Sequence, residues 1–180
     1  MGQAMDFSPG DDAPASEALP ELTIDPPLAL TRPLTIKARD YWLALRNKNE
    51  MPAPADITPR GMREFLANVA LFDVMPEAAE PDFMIRVAGT KLEELVGLVK
   101  GLSVRKSFKQ EISARWLKIL GCVMCKQEPV RVSSRVAFNR MNWLRSELFA
   151  APLGLDGKIE TIFVAVDIWP AEQPPGAQSA

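Results

Sequence analysis

The tightest constraint on this chain lies near its C-terminal end. Leu155-Asp156-Gly157-Lys158 reads as a two-residue hairpin turn. The residues that follow, 159–169, form an unbroken strand pattern. Ile159, Thr161, Phe163, Ala165 and Asp167 share one side of it, and Glu160, Ile162, Val164, Val166 and Ile168 share the other. Apolar residues on both sides predict a central strand in a sheet covered on two faces. A partner strand is expected over 143–152, with Leu144, Leu148 and Ala150 as core positions. A further strand is expected over 129–138, where Val130, Val132, Ser134 and Val136 alternate with Arg131, Ser133, Arg135 and Ala137. A turn around 139–142 joins the two.

The upstream half supplies two more strands, 69–75 and 83–88. In the second, Phe83, Ile85 and Val87 point one way and Met84, Arg86 and Ala88 the other. Arg86 is then a charge on a face of Met and Ala; either that face is wet, or the guanidinium reaches a carboxylate or a ligand. Gly89 and Thr90 join this strand to a short helix, with Thr90 as cap and Glu93 in reciprocal position. Ser107 and Gln110 form a second capping-box pattern, opening one long amphipathic helix over 108–126. Ile112, Trp116, Ile119, Leu120 and Val123 make its apolar face, while Lys109, Glu111, Arg115 and Lys118 lie mostly away from it. A helix is also expected over 35–47, capped by Thr35 and carrying Tyr41 and Trp42. Thr58-Pro59 marks another helix start, in a short run weakened by Gly61. Five strands with helices between the second and third make an α+β layout in which all five share one sheet.

Length and composition divide the chain. Residues 1–30 carry six acids, no base and several prolines, and read as a flexible leader; 31–68 form a helical extension, 69–169 the core, and 170–180 a flexible tail. The net charge of −2 hides a basic stretch from Lys91 to Arg145, with twelve bases against four acids. Without aromatic interleaving or a helix-turn-helix pattern, these bases read as a solvated face, so no nucleic-acid partner is expected. No apolar run reaches eighteen residues and no signal-peptide pattern opens the chain, so the expected location is the cytoplasm, with no membrane partner.

The chain has no histidine. That removes Ser-His-Asp catalysis, the usual zinc sites and histidine-ligated haem. Asp73, Asp82, Asp156 and Asp167 are scattered over turns and strands without paired spacing. No enzyme activity, metal or cofactor is expected. Cys122 and Cys125, three apart on the long helix with Lys118 and Lys126 nearby, are a possible redox pair. Against this, they sit at a helix end, where the dipole disfavours a thiolate.

Several of these segments together resemble a PAS domain, and more closely the single-domain PAS-like family of alphaproteobacteria. They are Tyr41-Trp42, the stretch from Met51-Pro52 to Ile57-Thr58-Pro59, Leu71-Phe72-Asp73-Val74, Arg86-Val87-Ala88-Gly89-Thr90, and Pro152-Leu153-Gly154-Leu155-Asp156-Gly157. The likeness spans about residues 37–168. The family's proline- and arginine-rich lead-in is muted here, and Gly61 and Met62 depart from its pattern. The resemblance implies a five-stranded antiparallel sheet with helices covering one face and a small cavity between them. It also implies a sensory or protein-interaction role without catalysis. Residues 95–107 contain no cysteine, which excludes the flavin photoadduct of some PAS domains.

On this reading Trp116 and Trp143 are cavity-wall candidates, and Arg86, Gly89 and Thr90 stand near the cavity, where Arg86 would suit a small polar or carboxylate-bearing molecule. Tyr41, Trp42 and Leu45 are candidates for a homodimer or partner interface. Output would pass by dimerisation or docking to a signalling protein. The alternatives are a structural interaction module with a self-filled cavity, or a small enzyme of unknown type.

Overall fold

The computed structural model describes residues 21–25, 29–46, 50–78, 80–136 and 143–171. In chain order its elements are β1 (Leu22–Asp25), α1 (Pro33–Arg46), β2 (Val69–Val74), β3 (Phe83–Ala88), α2 (Thr90–Val96), α3 (Val104–Ser107), α4 (Gln110–Lys126), β4 (Val130–Arg135), β5 (Leu144–Leu155) and β6 (Lys158–Pro170). One antiparallel sheet holds all six strands in the order β1-β4-β5-β6-β2-β3. The fold is α+β, as expected.

The hairpin is the spine of the sheet. β5 and β6 run together from Leu144 opposite Pro170 to Leu155 opposite Lys158. Asp156 and Gly157 take φ of 51° and 75°, both positive, as a two-residue turn of the primed type requires. Residues 161–166 of β6 are all buried. Phe163 meets Tyr41 of α1 with ring centroids 6.4 Å apart. On the opposite face Phe72, whose register partner is Ile162, meets Trp116 of α4 at 5.3 Å. Successive residues of a strand point to opposite faces. So α1 covers one face and α4 the other, and this two-sided cover is why the strand is apolar throughout.

Five of the strands are those read from sequence. The sixth, β1, comes from the stretch taken as a flexible leader: Leu22 to Asp25 pair with Ser134 to Arg131 of β4. The alternation Leu22-Thr23-Ile24-Asp25 is only four residues long and sits among prolines, which hid it. Residues 1–20, the turn at 139–142 and residues 172–180 lie outside the described residues.

Three expected caps are corrected. Thr35 is not the cap of α1, which begins at Pro33; Thr35 is inside the helix and fully buried. Gly89, not Thr90, is the cap of α2, and no side chain bonds there. Gly89 is required by close approach, because a Cβ would strike the Ala67 and Leu66 carbonyls. Lys109 caps α4, so the helix starts at Gln110, while Ser107 belongs to α3 and its buried hydroxyl finds no partner among the described residues. Thr58-Pro59 opens a turn rather than a helix. The Thr58 hydroxyl accepts the Gly61 N–H at 3.2 Å, and only a short 3-10 turn, Leu66–Asn68, precedes β2. The Tyr41 ring edge occupies the space where a Gly61 Cβ would stand, 2.6 Å away.

Candidate functional site

Two features of the sheet, one on each face, carry the functional geometry. The first is a cavity of about 80 Å³ between α4 and the strands. Its apolar wall comes from Ile112, Trp116 and Ile119 of α4, Val96 of α2, and Val132, Leu148 and Val166 of the sheet, with Leu22 of β1 at the side. Its polar groups are Arg115, Ser134 and Ser146; Arg135 borders it but stands in register with Arg145, on the face of Glu147. Arg115 donates to the Ser134 hydroxyl at 2.6 Å, the Ser134 O–H donates to the Arg135 carbonyl at 2.7 Å, and the Ser146 O–H donates to the Ser134 carbonyl at 3.2 Å. Burial lowers the pKa of Arg115 from its ordinary value, but a guanidinium stays charged near neutrality. The cavity therefore presents a partly desolvated cation at one end of an apolar space.

The second feature is Glu147 on the opposite face, fully buried. Its carboxylate accepts the backbone N–H groups of Thr31 and Arg32 at 3.1 and 2.9 Å, and the hydroxyls of Thr31 and Thr35 at 2.8 and 2.6 Å. Arg131 of β4 donates to it at 2.9 Å, and also pairs with Asp25 of β1 at 2.8 Å. These are the orphan donors at the start of α1, satisfied by a carboxylate from the sheet instead of a local cap. Burial alone would raise the Glu147 pKa. The hydrogen bonds from Thr35, Arg32, Thr31 and Arg131 outweigh it and bring the value down to about 2. Arg32 adds a pair with Asp167 at 2.9 Å and stacks on Trp169. Farther along α1, Trp42 donates its indole N–H to the Pro152 carbonyl at 2.9 Å.

The two features share strands. Ser146 and Leu148 line the cavity, and Glu147 between them points to the other face and holds α1.

Of the residues picked out from sequence, the structure brings only Trp116 to the cavity. Arg86 is exposed and lies 3.4 Å from Asp73 in a salt bridge, the carboxylate alternative for that position. Gly89 is buried against the backbone before β2, and Thr90 is exposed. Trp143 is corrected: it is 56 % exposed and lines no part of the cavity, because β5 begins one residue later and leaves the indole at the sheet's end. Trp42 is corrected as an interface candidate, being 2 % exposed and part of the core. Tyr41 and Leu45 are half-buried, and the large apolar residue that α1 exposes is Leu43. Cys122 and Cys125 are free, the first half-buried and the second exposed. Side chains three apart on an intact helix stand farther apart than a disulfide allows.

Arg115 was missed as a cavity residue. Its spacing to Ile112 and Ile119 puts it at the border of the apolar face, and that border position was the available signal. Glu147 left a signal too, as a lone acid in the middle of an apolar strand. Among the described residues no group of three or more His, Cys, Asp or Glu could hold a metal, and no helix is long and apolar enough to cross a membrane.

A family model described as a PAS domain matches residues 30–164, three quarters of the chain. The chain belongs to the PAS-domain family. PAS domains are sensory and interaction modules, not catalysts. In this PAS domain α2, α3 and α4 lie on the cavity side of the sheet. The matched region begins at Leu30, one residue before the Glu147 contacts of α1, so α1 belongs to the matched module and β1 precedes it. A search of curated proteins finds no match to the chain.

Proposed function

We propose that this PAS domain is a cytoplasmic sensory or adaptor module. A small ligand occupies the cavity between α4 and the sheet, and the output passes through α1 to self-association or to docking on a signalling protein. The observation that carries this reading is the back-to-back placement on β5: Ser146 and Leu148 line the cavity while Glu147 holds the start of α1. A ligand that shifts Ser146 or Leu148 also shifts the anchor of the helix that carries the output. The narrower placement, among the alphaproteobacterial single-domain PAS proteins, is kept within the proposal on the Tyr41-Trp42 helix and the late hairpin.

The expected interface is the outer face of α1 around Leu43, which is 48 % exposed. Deleting the helix does not test this, because Thr35, Ala38 and Trp42 are core residues. Leu43→Glu leaves the core intact and is expected to turn a dimer into a monomer in light scattering. A variant that stays dimeric overturns the assignment to α1.

A second reading, an interaction module whose cavity is largely filled by its own side chains, is favoured by the small cavity. Retention of a stoichiometric small molecule through gentle purification contradicts it.

A further inference from the structure

We propose that the cavity selects a short-chain carboxylate, held by Arg115 beside Ser134 and Ser146, with its alkyl end between Trp116, Ile119 and Leu148. This rests on the sensory reading above and adds the chemical class of the ligand.

Three observations converge. The first is the charge of the lining. Among the described lining residues there is no acid, and Arg115 brings a guanidinium to the cavity side of the sheet. Arg115 projects from α4 between Ile112 and Ile119, half-buried at the border of the apolar face, where a guanidinium is costly to place. Its planar fork matches a carboxylate in two-point contact, the Ser134 hydroxyl stands beside it, and Ser146 lines the same cavity.

The second is the register of the adjacent strands. Ser134 of β4 stands opposite Ser146 of β5 on the cavity face, whereas Arg135 and Arg145, one residue along in each strand, turn to the face of Glu147. Arg115 is therefore the guanidinium that reaches the cavity from α4, at the end where the two serines of the facing strands lie.

The third is size. The cavity measures about 80 Å³. It falls well below the roughly 300 Å³ at which pockets for drug-sized ligands begin. An inorganic anion would use the Arg115 end and leave the Trp116, Ile119 and Leu148 wall in contact with water. A short alkyl carboxylate uses both.

The test is calorimetric titration of the full chain with propionate and butyrate, against propionamide and butyramide as neutral matches of the same shape. The expected result is that each carboxylate binds about tenfold or more tighter than its amide, since a hydrogen bond to a charged group exceeds a neutral one by that order. Arg115→Gln is expected to erase the difference, and Arg115→Lys to keep part of it. Equal binding of acid and amide, or binding of neither acid, overturns the inference, and the wild-type comparison stands even if a variant misfolds. The sensory reading is decided separately. A neutral small molecule found on protein from its own cells would keep that reading and discard the carboxylate.

Discussion

Thr35 Oγ1 on α1 lies 2.6 Å from Glu147 Oε1 on β5, and both side chains are fully buried. A buried carboxylate is expensive unless its lone pairs are filled. Here the donors come from Thr31 and Arg32 just before a helix, from Thr35 in its first turn and from Arg131, so one residue both caps α1 and fastens it to the sheet.

This arrangement predicts an acid sensitivity with a defined sign. The Glu147 pKa falls from the ordinary 4.5 to about 2 on folding. The unfolded chain therefore takes up the proton first as pH falls. The stabilisation is complete above about pH 4.5 and is lost progressively towards about pH 2. The shift corresponds to about 3 kcal/mol. Urea denaturation of wild type and Glu147→Gln is expected to show the variant less stable by about that amount at pH 7. The gap should close as the pH approaches 2.

Trp42→Phe removes the donor to the Pro152 carbonyl while keeping most of the buried ring. The expected cost is about 1–3 kcal/mol, that of a buried acceptor left unpaired. Thermal unfolding measures it. A change within error would mean that the indole bond contributes nothing to the seating of α1.

Gly89 and Thr90 separate a steric role from a capping role. Gly89→Ala drives a Cβ into the Ala67 carbonyl, whose backbone is fixed by the turn before β2, and is expected to cost about 3 kcal/mol. Thr90→Ala removes an exposed side chain that caps nothing and is expected to cost less than about 0.5 kcal/mol. Denaturant midpoints of the two variants check both. The reverse order would restore the capping box read from sequence.

Arg86→Gln tests the assignment of the cavity cation. Arg86 pairs with Asp73 at the surface, where such a pair is worth about 0–1 kcal/mol. The variant is expected to leave both stability and ligand retention unchanged, measured by thermal unfolding and by bound mass. Loss of ligand would return the binding role to Arg86.

How much of this was legible in the sequence depends on how far each residue's partner lies along the chain. The strands read correctly because period-two alternation and the Asp156-Gly157 turn are local signals. The face of α4 read correctly because Trp116, Ile119, Leu120 and Val123 repeat at helical spacing. The caps failed for a shared physical reason. Thr35 reads as a local cap, yet its hydroxyl donates to Glu147, 112 residues away, and α1 begins before it. Thr90 lost its role to Gly89 because the crowding that demands a glycine comes from Leu66 and Ala67, on a different segment. The candidate site was only partly legible. Trp116 was visible as a buried aromatic, whereas Arg115 and Ser146 come together only once β4 and β5 are paired in register.

The central claim is that this PAS domain senses a small molecule and answers through association. Native mass spectrometry of the full chain, purified gently from its own cells, tests it most directly because subunit number and bound mass appear in one spectrum. The account predicts a dimer carrying one small ligand per subunit. A bare monomer would contradict it.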